Sequence, residues 1–249
     1  MDPKVILFDL DGTLTPSKSY LRADMAVLIC KLLHIKKVVV IGGGSHVQFQ
    51  KQFIEHINCN NAELDHLYIM PTSGAALYRH TKGAWNKVYI HALTAIEKKK
   101  ILYALSKTMS DLHYHPPEKI YGETIEDRGA QVSFSANGQD APLSVKSKWD
   151  PDQAKRTPIV MRLKTYLPEF DIKIGGTNTI DITKHGINKA YGVRRVVAYL
   201  GFRIHDAVYV GDALYENGND AIVKETGISV VSVGGPKETM RYINAVLAR

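Results

Sequence analysis

The sequence predicts an α/β protein: a doubly wound, mainly parallel core with an α+β insert between its two sequence halves. Three observations predict it. Unbroken apolar runs at residues 5–8, 38–41 and 207–210, and a valine-rich stretch at 228–233, read as buried strands. Stretches 23–33, 189–200 and 238–247 carry apolar residues at helical spacing between or after those runs. In the middle this alternation stops, and short strand candidates flank longer helices. The expected division is a core of residues 1–83 and 186–249 with an insert of residues 84–185.

Val5-Ile6-Leu7-Phe8 is the first strand, and it leads directly into Asp9-Leu10-Asp11-Gly12-Thr13. It delivers Asp9 and Asp11 to its C-terminal end, where open α/β sheets bind ligands. Residues i and i+2 point the same way along a strand. Two carboxylates brought that close repel, and a hard cation with oxygen ligands, Mg2+, is the usual remedy. A helix over 23–33 follows, with Met25, Leu28, Ile29, Leu32 and Leu33 on one side. Val38-Val39-Val40-Ile41 is β-branched throughout and runs into Gly42-Gly43-Gly44-Ser45. A glycine-rich turn between a buried strand and a helix-like stretch, 47–57, exposes backbone N–H groups to an anion. His46 beside it is not needed as a base, because Asp11 already supplies one.

Residues 67–70 read as a short strand, and 83–87 as a hairpin turn or linker. The insert then opens on an amphipathic helix over 93–112, which ends at His113-Tyr114-His115-Pro116-Pro117. That His-x-His pair has no further ligand nearby and reads as a loop. Strands are expected at 124–128, 131–135, 171–174 and 179–183, the last two joined across Gly175-Gly176. Thr157-Pro158 reads as the N-cap and first position of a helix over 159–167. The core pattern resumes with a helix from Lys189 and a strand ending in Gly211-Asp212.

The chain has 249 residues, is 45% apolar and carries a net charge of +7. Basic residues are scattered, and Lys98-Lys99-Lys100 falls on a solvated helix face, so neither nucleic acid nor membrane is an expected partner. Its two cysteines, Cys30 and Cys59, show no partner spacing, which argues against a disulfide framework or structural zinc and for a reducing, cytoplasmic setting. With strand residues from Val5 there is no room for a signal peptide, and no 18-residue apolar run exists.

The stretch from Asp9 to Thr15 resembles the first motif of the haloacid-dehalogenase-like phosphotransferases, D-x-D-G-T-[LV]-[TL]. The resemblance implies that Asp9 attacks phosphorus to form an aspartyl phosphate and that Asp11 acts as acid and base. The Gly42–Ser45 turn is similar to the second motif, in which the amides of Gly43, Gly44 and Ser45 hold the phosphoryl group. Lys189 matches the third motif, which neutralises charge on the nucleophile and phosphoryl oxygens. Asp212 matches the fourth and would bind Mg2+ with Asp9 and Asp11, while Asn219 and Asp220 would support it. Seven residues separate Asp212 from Asp220, a spacing similar to the phosphomannomutase branch.

In that branch the insert is a cap that reads the substrate. Arg128 matches one of its arginines, and Thr179 and Asp181 match residues that contact sugar and phosphate. Other family arginines fall on Lys18, Gln139 and Lys146. Lysine does not copy arginine's planar grip on phosphate. The expected activity is therefore hydrolysis of a sugar phosphate, with phosphomannomutase as the alternative, and a homodimer is left open. A non-catalytic anion- or nucleic-acid-binding module is a remote third reading, since it has no use for paired carboxylates.

Overall fold

The computed structural model describes residues 2–17, 19–216 and 218–249. In chain order the elements are β1 (Val5–Asp9), α1 (Ala23–Leu33), β2 (Lys37–Ile41), α2 (His46–Gln52), α3 (Asn61–Leu64), β3 (Leu67–Met70), β4 (Ala76–Thr81), β5 (Ala84–Ile90), α4 (Ala95–Asp111), β6 (Ile125–Asp127), β7 (Gln131–Ser135), α5 (Leu143–Trp149), α6 (Arg156–Tyr166), β8 (Phe170–Gly175), β9 (Thr179–Lys184), α7 (Lys189–Tyr199), β10 (Ala207–Gly211), β11 (Ser229–Ser232) and α8 (Pro236–Leu247). They form two compact units, Met1–Ile90 with Asn188–Arg249, and His91–Ile187.

The first unit is built on a seven-stranded sheet of order β11-β10-β1-β2-β3-β4-β5. Its strands are parallel from β11 to β3, and β4 and β5 are antiparallel. Side chains alternate across β1. Ile6 and Phe8 join a cluster with Met25 and Ile29 of α1 and Ile243 and Val246 of α8. Val5 and Leu7 join another with Val193, Val196 and Val197 of α7. Helices thus cover both faces, which is why the strand needs an apolar residue at each position. Each such side chain contributes about 1.5–3 kcal/mol on full burial. β1 sits between β10 and β2, and this places the ends of all three strands side by side.

The insert begins later than the sequence suggests. Residues 84–90 form β5, paired with β4 from Ala76↔Ile90 to Thr81↔Ala84. The hairpin turns at Lys82-Gly83, both with positive φ (54° and 75°), the backbone that two-residue hairpin loops require. This edge hairpin lacks a continuous apolar run, so it gave no strand signal.

The cysteines also depart from expectation. Cys30 on α1 and Cys59, in the loop before α3, form a disulfide with Cα atoms 5.3 Å apart. Their 29-residue separation carries no motif, and the pairing arises only once the chain has passed through β2 and α2. It removes the argument for a reducing compartment. Among the described residues, no helix is long and apolar enough to cross a membrane.

The second unit has an antiparallel sheet of order β6-β7-β9-β8. One face presents Val132, Phe134, Ile180 and Ile182 to Ile101 and Leu105 of α4 and Ile159 and Leu163 of α6. The other face carries polar pairs in register: Gln131↔Thr183, Ser133↔Asp181 and Ser135↔Thr179. The helix expected to begin at Pro158 under a Thr157 cap begins instead at Arg156, and the Thr157 hydroxyl donates to the Gln153 carbonyl.

Candidate active site

Asp9 is the last residue of β1 and is 3% exposed. Lys189, the first residue of α7, reaches it from the other end of the sequence. Its Nζ donates to Asp9 Oδ1 and to Asp220 Oδ1, each at 2.5 Å. Asp220 is fully buried and also accepts from the Tyr209 hydroxyl (2.7 Å) and the Ala213 amide (3.3 Å). The lysine is therefore held between two carboxylates, one of which is itself fixed by a strand tyrosine. Asn188 caps α7 by accepting from the Tyr191 amide, which sets where Lys189 starts.

Asp212 follows β10 and is oriented by Thr13. The Thr13 hydroxyl donates to Asp212 Oδ1 (3.1 Å) and accepts from the Asp212 amide (3.0 Å). The Thr13 carbonyl in turn accepts from the Thr239 hydroxyl of α8. Gly12, at φ +90°, lies so close that a Cβ there would run into the Asp212 carboxylate. The D-x-D-G-T string thus needs its glycine and threonine for packing against Asp212.

Asp9, Asp212 and Asp220 offer carboxylate oxygens within 4.8 Å of one another, a group able to hold a metal ion. Asp11 was expected among the metal carboxylates, but its side chain is not in this group. The chain leaves the strand there, Asp11 forms an isolated bridge with Thr15, and it is half-buried. Asp220 is occupied by Lys189, Tyr209 and the Ala213 amide. Asp9 and Asp212 are the carboxylates best placed for a cation.

The charges agree. Burial, opposed by Lys189 and reinforced by Asp220, pushes the Asp9 carboxyl well above its usual range. Asp212 is raised as well, by burial and then by Asp220. Burial disfavours the Lys189 ammonium, but Asp220 and Asp9 outweigh it and hold its pKa above the ordinary lysine value. Three acids share one ammonium, so a divalent cation matches the donor set.

The glycine turn lies beside this cluster, because β1 and β2 pair in register at Asp9↔Ile41. It is tied back by Thr72 N–H to the Gly44 carbonyl and Ser73 N–H to that of Gly42, both 2.8 Å. Ser45 is the N-cap of α2, accepting from the Gln48 amide, while its own N–H donates to Gln48 Oε1 at 2.8 Å. The Ser45 amide is thus already engaged by Gln48. The Ser45-x-x-Gln48 spacing is that of a capping box, a signal the sequence reading passed over. His46 stacks on Tyr78 of β4 with ring centroids 4.1 Å apart.

Of the other residues singled out, Lys18 lies outside the described residues. Asn219 is exposed, and among the described residues the hydrogen bonds to Asp220 come from elsewhere. In the second unit, Arg128 forks onto Glu126 through Nε (2.9 Å) and Nη2 (2.8 Å), with Nη1 3.9 Å from Asp181. Asp181 accepts from the Ser133 hydroxyl at 2.6 Å, and Thr179 donates to the Gly175 carbonyl at 2.5 Å. Lys146 lies on α5, a helix absent from the sequence reading, and donates to the Gln139 carbonyl at 2.6 Å. Glu126, Ser133 and Tyr209 were missed. Glu126 stands two residues before Arg128, and that spacing was the available signal.

A model of the eukaryotic phosphomannomutase family matches residues 26–249. The chain belongs to that family. Its relatives include phosphomannomutases of Schizosaccharomyces pombe, 27% identical over 87% of this chain and 83% of the relative, and of Encephalitozoon cuniculi, 27% identical over 98% and 94%. As a phosphomannomutase-family chain it is an enzyme of the haloacid-dehalogenase superfamily, built for phosphoryl transfer. The fold is shared more widely. An IMP-bound Plasmodium falciparum IMP-nucleotidase superposes with a TM-score of 0.70 at 15% identity, over 99% of this chain and 68% of that one. An Aspergillus fumigatus trehalose-6-phosphate phosphatase gives 0.58 at 14%, over 100% and 94%.

Proposed function

We propose that this chain interconverts mannose 1-phosphate and mannose 6-phosphate by Mg2+-dependent phosphoryl transfer through Asp9. The observation that carries the reading is the family match over residues 26–249, which includes the whole insert. The buried Asp9–Lys189–Asp220 chain supports it from the chemistry.

Asp9 attacks phosphorus, and the bond to the sugar oxygen breaks as the aspartyl phosphate forms. Asp11, outside the carboxylate cluster, gives its proton to that oxygen and takes one back from the incoming hydroxyl. Lys189, fixed by Asp220 and Tyr209, sets positive charge beside the nucleophile with no rearrangement during the step. Mg2+, held by Asp9 and Asp212, supplies charge neutralisation on the phosphoryl oxygens when bound. Arg128, Lys146, Thr179 and Asp181 hold the sugar phosphate, with Lys18 as a further candidate.

The sequence favoured hydrolysis first, and the family match moves the balance toward the mutase. Hydrolysis stays as a second reading for one reason. Gln139 stands where the resemblance expects an arginine, and Arg128, which donates to it at 3.4 Å, is engaged by Glu126. The test is incubation with mannose 1-phosphate, Mg2+ and a trace of a hexose bisphosphate. Mannose 6-phosphate forming faster than free phosphate supports the mutase, and the reverse order establishes the phosphatase.

A further inference from the structure

Arg156 opens α6 and is 2% exposed, the largest of the fully buried side chains. A buried guanidinium must have its donors satisfied. Nε donates to Asp150 Oδ2 at 2.7 Å and Nη2 to the Asp150 carbonyl at 3.2 Å. Nη1 faces three carbonyls of one turn: Gly175 and Gly176 at 3.1 Å each, and Thr179 at 3.3 Å. Asp150 is held in its turn by the amides of Lys155 (2.8 Å) and Arg156 (3.2 Å).

The turn so gripped joins β8 to β9 and presents Thr179 and, two residues on, Asp181. It is folded tightly. Gly176 has φ +45°, and a Cβ on Gly175 would run into the Asp181 carboxylate and the Thr179 hydroxyl. Small movements of the 175–179 backbone therefore move both side chains. Asn178 anchors the other side by donating to the Ser135 hydroxyl at 2.9 Å.

We propose that Arg156 is a positioning residue for sugar-phosphate recognition. It touches no substrate. Its planar fork fixes the carbonyls that set the Thr179 hydroxyl and the Asp181 carboxylate, and it rests on the reading above that these two residues hold the sugar phosphate. Lysine keeps the charge but has no fork to span Asp150 and three carbonyls at once.

The experiment compares wild type, Arg156→Lys and Asp150→Asn in the full chain. Each is assayed for kcat and KM on mannose 1-phosphate, on other hexose phosphates and on p-nitrophenyl phosphate, with melting curves alongside. Arg156→Lys is expected to raise KM for the sugar phosphate about tenfold, the scale of one well-made charged hydrogen bond. Its kcat/KM on the aryl phosphate, which lacks a sugar to position, stays near wild type. Asp150→Asn keeps an acceptor for Arg156 and gives a smaller rise of the same selectivity. If Arg156→Lys does not fold, Asp150→Asn is judged by the same criterion. A folded variant with unchanged sugar-phosphate KM overturns the proposal, as do equal losses on both substrate classes, which mark general loosening. A wild type that cleaves the aryl phosphate but no hexose phosphate overturns the proposed function and this inference together.

Discussion

The carboxylate cluster of the first unit and, in the second, the polar sheet edge with its adjoining loops differ in how completely their groups are satisfied. Around Asp9 the partners close on one another: Lys189 on two acids, Tyr209 on Asp220, Thr13 on Asp212. On the insert, Gln131 Nε2 and Oε1, Asn137 Oδ1, Gln139 Nε2 and Asn178 Oδ1 are buried without a hydrogen-bond partner among the described residues. An unmade bond of that kind costs about 1–3 kcal/mol. In the first region the residues hold each other in place, as the proposed phosphoryl transfer requires. The second keeps polar groups buried at a stability cost, which accords with the ligand-reading role proposed for it.

The largest effect should come from the first region. Asp9→Asn keeps the shape and removes the nucleophile, so turnover should fall at least about 10³-fold, roughly 4 kcal/mol of barrier. The circular dichroism spectrum should stay that of the wild type. Residual activity within tenfold of wild type would break the contrast, because the site would then not depend on its central acid.

Metal removal comes next. EDTA should stop turnover and Mg2+ restore it, and Asp212→Ala should raise the Mg2+ concentration needed for half-maximal activity by about tenfold or more. Enzyme shown to be metal-free that still turns over excludes the assignment of Asp9 and Asp212.

The insert should show selectivity where the core shows loss. Arg128→Ala should weaken use of a sugar phosphate by about tenfold while sparing p-nitrophenyl phosphate. Equal effects on both would mean that Arg128 supports the sheet through Glu126 and has no part in reading the substrate. Gln139→Arg should shift partitioning toward the mutase by a few fold, measured as the ratio of mannose 6-phosphate to free phosphate.

The smallest effect is on stability in acid. Burial opposes the charged form of Asp150, yet Arg156 and the amides of Lys155 and Arg156 overcome it and hold its carboxyl below the usual range. The folded carboxyl thus binds its proton less tightly than the unfolded one. Its stabilisation is complete above about pH 4 and is lost as the pH falls through the depressed folded value. Asp150→Asn should therefore flatten the acid side of the melting-temperature profile by a few degrees. An unchanged profile would show that another acid governs it.

The sequence by itself determined the core and its catalytic string. Val5–Asp9, the 38–41 run and the 207–210 run are buried on both faces, and that burial is written as apolar identity at each successive position. The placement of Asp9 and Asp212 at strand ends follows from those runs, and that of Lys189 from the start of the amphipathic helix α7. Tertiary structure decided the rest. β5 joined the first unit because β4 offered it a partner, a pairing its polar pattern does not announce. Cys30 met Cys59 across 29 residues. Arg156 found the carbonyls of Gly175, Gly176 and Thr179, Tyr209 found Asp220, and the Asp11 carboxylate stayed outside the metal-ready group. Each of these depends on a contact between separate elements or on how the backbone turns. Period and propensity describe how a residue faces its own element and carry no information on what waits across the gap.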